Sequence, residues 1–183
     1  MKKIIMAVAV ACTAILANAA AVGWTNAGMS NYAGNAYALF VIGQKGVANM
    51  STVTDLLDAG GDYASFAFGS GKVAANGTAN LAASTSSPQL DAGTYTSFFV
   101  LFSSESPTAG DKYVVVSGLS GQTQTIGATT AKATFATLNQ SAIYNNTANW
   151  KSFGSAGPAV PEPTSGLLLL LGMAGLALKR KVA

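Results

Sequence analysis

Residues 95–102 read YTSFFVLF, and the last five of these residues are all apolar. Successive side chains of a β-strand point to opposite faces of the sheet, so this run places apolar side chains on both faces. Other parts of the fold must then cover both faces. The run predicts a central strand, with Phe98 and Phe99 in the hydrophobic core.

Shorter apolar runs, separated by turn-forming residues, predict the other strands. Residues 62–69 alternate between polar and apolar side chains, which places Phe66 and Phe68 on one face and in the core. Residues 71–88 are small and polar, which predicts an edge hairpin or a loop. The remaining strands are expected at residues 37–42, 113–116, 122–126 and 131–138.

One short helix is predicted at residues 52–59. Thr52 is followed three residues later by Asp55, which matches a capping box, and Gly60 is placed to end the helix. The pattern as a whole predicts an all-β domain. We expect a β-sandwich, with an immunoglobulin-like or a jelly-roll topology, that carries this single helix.

A short motif favours a sandwich architecture. The spacing Asp91-x-Gly93-x-Tyr95 resembles the tyrosine corner of immunoglobulin-like sandwiches. That resemblance implies that the Tyr95 hydroxyl bonds back to the backbone of the turn. Ser97 stands where antibody domains have their second cysteine.

The N-terminal residues 1–19 are typical of a secretory signal peptide. A basic start is followed by an apolar stretch at residues 4–16. Ala17 and Ala19 fit the small-x-small rule, which predicts that signal peptidase cuts before Ala20. The signal is expected to form a helix separate from the body of the protein.

The C-terminal end consists of a linker, an uncharged stretch and a basic triplet. The Gly/Pro linker, residues 154–160, connects the body, residues 20–153, to a tail at residues 161–183. Residues 165–178 carry no charge and would span roughly 21 Å as a transmembrane helix, against a hydrocarbon core of about 30 Å. A basic triplet then holds the far end on the cytoplasmic side. It consists of Lys179, Arg180 and Lys181.

The order of these parts resembles the PEP-CTERM sorting signal of Gram-negative bacteria. The motif that carries the resemblance is Val160, Pro161, Glu162 and Pro163. Its prolines keep the backbone extended, as a peptidase cleft requires. The resemblance implies sorting by an exosortase, a membrane-embedded cysteine peptidase of species that export polysaccharide. It also implies export, a transient anchor in the inner membrane, and delivery to the cell surface or beyond.

The composition of the body excludes several classes of function. Five lysines stand against six carboxylates, so the basic patch that nucleic-acid binding needs is missing. The chain has no histidine, and its only cysteine, Cys12, lies in the signal peptide. This removes thiolate nucleophiles, Ser-His-Asp arrangements and most zinc sites. No cofactor and no metal is expected.

Two carboxylates are the remaining candidates for catalysis. Asp55 and Asp58 share a face of the predicted helix, and a carboxylate pair can serve a glycosidase. Solvation of the helix start explains the same spacing. We therefore expect that the protein is not an enzyme.

Aromatic residues in Gly- and Asn-rich surroundings are the best candidates for binding. They are Trp24, Tyr32, Tyr37, Tyr144 and Trp150. If these rings are exposed, they would stack on the faces of sugars, and Trp24 and Trp150 are the first candidates. The alternative is that the rings are buried in the core and only stabilise the fold. The leading hypothesis is a non-catalytic surface or matrix protein, associated with exopolysaccharide or biofilm. The alternative is a carbohydrate-binding or adhesive module.

Overall fold

The computed structural model describes residues 19–119, 122–135 and 138–155. These residues form eleven strands and two α-helices, together with three turns of 3₁₀-helix at Ser30–Tyr32, Tyr63–Ser65 and Thr147–Asn149. The helices are α1 (Met50–Asp58) and α2 (Ser141–Tyr144). The strands are β1 (Ala20–Ala27), β2 (Ala36–Val41), β3 (Gly69–Lys72), β4 (Ala79–Leu81), β5 (Gln89–Leu90), β6 (Gly93–Phe102), β7 (Lys112–Val116), β8 (Thr123–Ile126), β9 (Lys132–Thr134), β10 (Leu138–Asn139) and β11 (Lys151–Ser152).

The strands form two sheets. In the first sheet β1 pairs antiparallel with β4 and β5, and parallel with β9 and β10. In the second sheet the order is β11-β7-β6-β2-β3, and β8 pairs with the first half of β6. The expectation of an all-β protein is therefore confirmed. The choice between immunoglobulin-like and jelly-roll topology stays a prediction.

Strand β6 occupies the centre of the second sheet, between β2 and β7, as its sequence predicts. Phe99 and Leu101 face the first sheet, where they share a buried cluster with Val22 and Trp24 of β1. We call this the inter-sheet cluster. Each fully buried side chain of this size stabilises the fold by about 1.5–3 kcal/mol.

The opposite face of β6 is covered by helix α1. Phe98 and Phe102 form a second buried cluster with Val53 and Leu57 of the helix, and Phe153 closes its end. We call this the helix-side cluster. The second sheet is thus buried on both faces, which explains the doubly apolar sequence of β6.

The predicted helix exists, but its start differs from the prediction. It begins at Met50, and Asn49 is its N-cap, since the Asn49 Oδ1 accepts a hydrogen bond from the Thr52 N–H at 2.9 Å. The predicted capping box at Thr52 is therefore wrong. The end is as predicted: Gly60 has φ of +69°, and its N–H donates to the Leu57 carbonyl at 3.0 Å.

The strand predicted at residues 62–69 is wrong. Tyr63–Ser65 forms a turn of 3₁₀-helix, because the Asp62 carboxylate accepts from the Ala64 N–H and caps the turn. Phe68 is buried as expected, whereas Phe66 is only partly buried. The regular strand starts later, at Gly69.

One further local prediction is correct in part, and another is wrong. Residues 71–88 do not form a hairpin, because β3 pairs with β2 in the second sheet and β4 pairs with β1 in the first, but the residues of this segment outside the two strands are loop, which was the alternative. The tyrosine corner is not formed either. Tyr95 pairs with Gln124 within the ladder of β6 and β8, and its hydroxyl makes no hydrogen bond to the described turn at residues 91–93.

The prediction of a single helix is wrong as well. The four-residue helix α2 follows β10, and Tyr144 at its end is fully buried in the inter-sheet cluster. Burial of Tyr144, with Ile143 packed against the same cluster, holds this short helix on the core.

Candidate binding site

Trp24 does not form a binding surface. Its side chain is 2% exposed, and it lies in the inter-sheet cluster with its ring 6.5 Å from the ring of Phe68. The indole also packs directly over Gly69, where a β-carbon would collide with the ring. The expectation that Trp24 stacks on a glycan is thereby corrected, since no face of its ring reaches solvent.

Trp150 lies at the surface beside Tyr32. Both side chains are partly buried and rest on the inter-sheet cluster. Their ring centroids are 5.3 Å apart and their planes are inclined by 31°. We call this pair the aromatic ledge. At this distance and angle the two rings pack partly on each other, and the surface they leave exposed is apolar, of the kind that aromatic side chains use for recognition.

A single carbonyl fixes the aromatic ledge. The Tyr32 hydroxyl and the Trp150 indole N–H each donate a hydrogen bond of 2.8 Å to the carbonyl oxygen of Tyr144. The ring of Tyr144 is fully buried and meets Phe99 edge to face at 6.5 Å. The carbonyl is therefore held by the core, and the two rings are oriented before any ligand arrives. Such preorganisation lowers the entropic cost of binding.

A shallow pocket of about 150 Å³ lies at the aromatic ledge. Its remaining lining comes from three separate parts of the chain and consists of Ser103, Lys112 and Thr147. The pocket thus combines two ring faces with two hydroxyls and one ammonium group. This is the chemistry of a polar ligand with one flat, apolar side.

Four of the six carboxylates of the body, Asp58, Asp62, Glu105 and Asp111, have structural partners. The Tyr113 hydroxyl donates to Asp58 Oδ1 at 2.6 Å, which ties β7 to the end of α1. Burial, together with this hydrogen bond, raises the pKa of Tyr113. Glu105 forms an ion pair with Lys72, which lowers the pKa of Glu105. Asp62 caps the turn that follows α1.

Asp111 is occupied in the same way. It accepts hydrogen bonds from the Thr108 N–H at 2.8 Å and from the Ser104 hydroxyl at 2.9 Å. These bonds lower the pKa of Asp111. Within residues 19–155, leaving aside the undescribed gaps, no group of three or more acidic, histidine or cysteine side chains is arranged to hold a metal ion.

Comparison with known proteins assigns the C-terminal region. Residues 159–181 match the model of the PEP-CTERM protein-sorting motif. The motif marks an exported protein that an exosortase sorts at the membrane. The body has no other family assignment, and no curated protein and no solved structure matches the chain.

The PEP-CTERM match covers every residue that the sequence assigns to sorting. These residues are Val160, Pro161, Glu162, Pro163, Lys179, Arg180 and Lys181. They lie outside the described residues, as do the predicted helix at residues 165–178 and Ala17 of the signal peptide. In the part of the chain that the structure describes, no helix is long and apolar enough to cross a membrane.

The two ends of the described body can be located. Ala20, the predicted first residue after signal cleavage, is fully buried at the start of β1. At the other end the Gly154 N–H donates to the Leu57 carbonyl at 2.9 Å. The predicted linker at residues 154–160 therefore starts on the surface of the body, and four residues separate Ser155 from Val160.

The sequence identified the aromatic ledge only in part. Trp150 and Tyr32 were both candidates, but Tyr37 and Tyr144 are buried in the core. Lys112 was missed, because it is the first residue of a strand that is otherwise apolar, and its position beside Trp150 depends on the pairing of β7 with β11. No local pattern signals that pairing.

Proposed function

We propose that the chain is a non-catalytic protein of the cell surface or extracellular matrix that associates with exopolysaccharide, as in a biofilm. The observation that carries the proposal is the PEP-CTERM motif at residues 159–181. Its partners are signal peptidase, the exosortase and, transiently, the inner membrane. The two peptidases act at opposite ends of the chain, before Ala20 and near Pro161.

A non-catalytic role is supported by the surroundings of the carboxylates. With no histidine in the chain, acid–base chemistry would rest on aspartate and glutamate. Asp58, Asp62 and Asp111 serve as hydrogen-bond acceptors that hold the fold. A glycosidase instead needs two carboxyl groups facing each other across a sugar-sized gap.

A carbohydrate-binding module is the second candidate function, and the aromatic ledge favours it. Tyr32 and Trp150 are oriented by the core and reach the surface, with hydroxyl groups beside them. This candidate is compatible with the first, since a matrix protein can be held by direct contact with polysaccharide.

The sorting motif provides the test of the proposed function. Replacing Pro161, Glu162 and Pro163 together with alanine is expected to leave an uncut precursor in the membrane fraction, because the extended segment that the peptidase grips is lost. Folding should be unaffected, as these residues follow the last described contact of the body. Cell fractionation with immunoblotting measures the distribution.

The matched control is Pro158→Ala, which changes a proline just outside the matched residues. It is expected to leave release unchanged. Normal release of the triple variant would reject sorting by an exosortase, and loss of both variants from the surface would point to a general effect of the linker.

A further inference from the structure

Lys112 shares a face with the aromatic ledge. Side chains along β7 alternate, so that Val114 and Val116 face the inter-sheet cluster while Tyr113 faces the helix-side cluster. Lys112 lies on the same side of the strand as Val114. Its ammonium group is therefore presented where Trp150 reaches the surface.

The charge of Lys112 has no partner among the described residues. The ion pair they contain joins Lys72, at the end of β3, to Glu105 in the loop between β6 and β7, so Glu105 is already paired. The adjacent carboxylate, Asp111, is directed into the turn by its bonds to Thr108 and Ser104. An exposed ammonium group remains at the edge of the aromatic ledge.

The hydroxyl of Ser103 is available to donate a hydrogen bond to a ligand. Its oxygen accepts the backbone N–H of Lys112 at 2.8 Å, and the Ser103 N–H in turn donates to the Lys112 carbonyl at 2.8 Å. This pair of bonds fixes the residue, while the hydroxyl hydrogen stays available. Thr147 contributes a second exposed hydroxyl on the other side of the pocket.

We infer that the aromatic ledge binds an acidic saccharide of the uronic acid type. The apolar side of the sugar ring lies against the exposed surface of the Tyr32–Trp150 pair, its carboxylate pairs with Lys112, and its hydroxyls bond to Ser103 and Thr147. The inference rests on the proposed association with polysaccharide and names its chemical class. A neutral sugar would use the rings and hydroxyls and leave the ammonium group without a partner.

Tryptophan fluorescence of the full chain in mild detergent tests this assignment. Because Trp24 is buried, quenching by acrylamide reports mainly on Trp150. Oligogalacturonate is expected to protect Trp150 from quenching at lower concentration than a glucose oligosaccharide of the same length. Added salt should weaken the binding of oligogalacturonate alone, since it screens an exposed charge pair.

Two variants separate the contributions of charge and ring. Lys112→Gln is expected to weaken binding of oligogalacturonate about twofold to fivefold, the size of one solvent-exposed ion pair, and to leave the weaker binding of the neutral sugar unchanged. Lys132→Gln, an exposed lysine on β9 of the other sheet, is the matched control and should change neither. Trp150→Phe keeps a ring in the core contact and should weaken the binding of both sugars, as measured by calorimetry.

Each outcome decides a different claim. Equal affinity for both sugars, unaffected by Lys112→Gln, would overturn the acidic class. Absence of protection by either sugar would overturn the site, even if the protein is still released to the surface as the proposed function requires. Retention of the wild-type chain inside the cell would instead reject the proposed function, whatever the sugars do.

Discussion

The second sheet contains three apolar strands that pair side by side, β2, β6 and β7, whereas the first sheet depends on one strand, β1. Its other four strands have two or three residues each, and every one of them pairs with β1. Long apolar runs form strands that their own sequence indicates. The short strands form only where a longer strand provides backbone groups for them to hydrogen-bond with. Substitutions in the two sheets should therefore destabilise the protein in different ways: through a lost apolar side chain in the second sheet, and through disturbed packing around β1 in the first.

The largest effect is expected in the second sheet, at Phe99. Its side chain is fully buried between the sheets, stacked on Tyr37 at 5.4 Å. Phe99→Ala should lower the free energy of unfolding by about 3–5 kcal/mol, since the cavity adds to the lost transfer energy. Phe66→Ala, at a partly buried ring, is the control and should cost clearly less. Urea denaturation of both variants measures the difference, and equal losses would contradict the assigned core.

A smaller effect is expected in the first sheet, at Gly23 of β1. A β-carbon here would stand 2.6 Å from the Ala83 backbone nitrogen and 2.7 Å from the Leu81 carbonyl oxygen. Gly23→Ala should therefore lower the stability by about 1–3 kcal/mol through overpacking. At Gly127 the nearest atom is the Thr130 hydroxyl at 3.3 Å, so Gly127→Ala serves as the control. A Gly23→Ala variant as stable as its control would show that the segment after β4 does not cover β1.

The smallest effect at neutral pH is expected where the two sheets meet, at Tyr144. Its buried hydroxyl has no hydrogen-bond partner among the described residues, so Tyr144→Phe should leave the stability at pH 7 nearly unchanged. Tyr32→Phe removes a hydroxyl that donates to a carbonyl, and should cost about 1 kcal/mol.

Alkaline pH should separate the stabilities of wild type and Tyr144→Phe. Burial raises the pKa of Tyr144 above its ordinary value of 10.0. The stability that the protonated hydroxyl confers is complete below pH 10, and it is lost as the pH rises above 10 because the unfolded chain then ionises. The variant lacks this loss, so it should be the more stable protein at a pH of about 11. Urea midpoints at both pH values measure it, and parallel pH profiles would place the hydroxyl in water.

The same comparison explains what could be predicted from the sequence. Strands β2, β6 and β7 were predicted because each is a continuous apolar run, which indicates a buried strand even when its neighbours in the sheet are unknown. Strand β1 was missed, since its sequence AAVGWTNA follows the signal peptide and mixes small residues with a buried polar side chain, Asn26. Its burial is set by the partners that surround it.

The candidate site shows the same limit. The sorting motif and Trp150 could be named from local sequence. The motif is recognised by the spacing of residues that follow one another in the chain, and a tryptophan is a candidate for binding because of its large ring alone. Lys112 could not, since its place beside Trp150 depends on the pairing of β7 with β11. The bond between Tyr32 and Tyr144 joins residues 112 positions apart, and only the folded chain brings them together.

The central claim is that the chain is exported and sorted by its C-terminal motif. The most direct measurement is the intact mass of the protein recovered from the surface and extracellular fractions of the producing cells. We expect a chain that begins at Ala20 and ends near Pro161–Pro163, shortened at both ends and therefore lighter than the 18.4 kDa of the full sequence. A full-length chain that starts at Met1 and stays in the cytoplasm would contradict it.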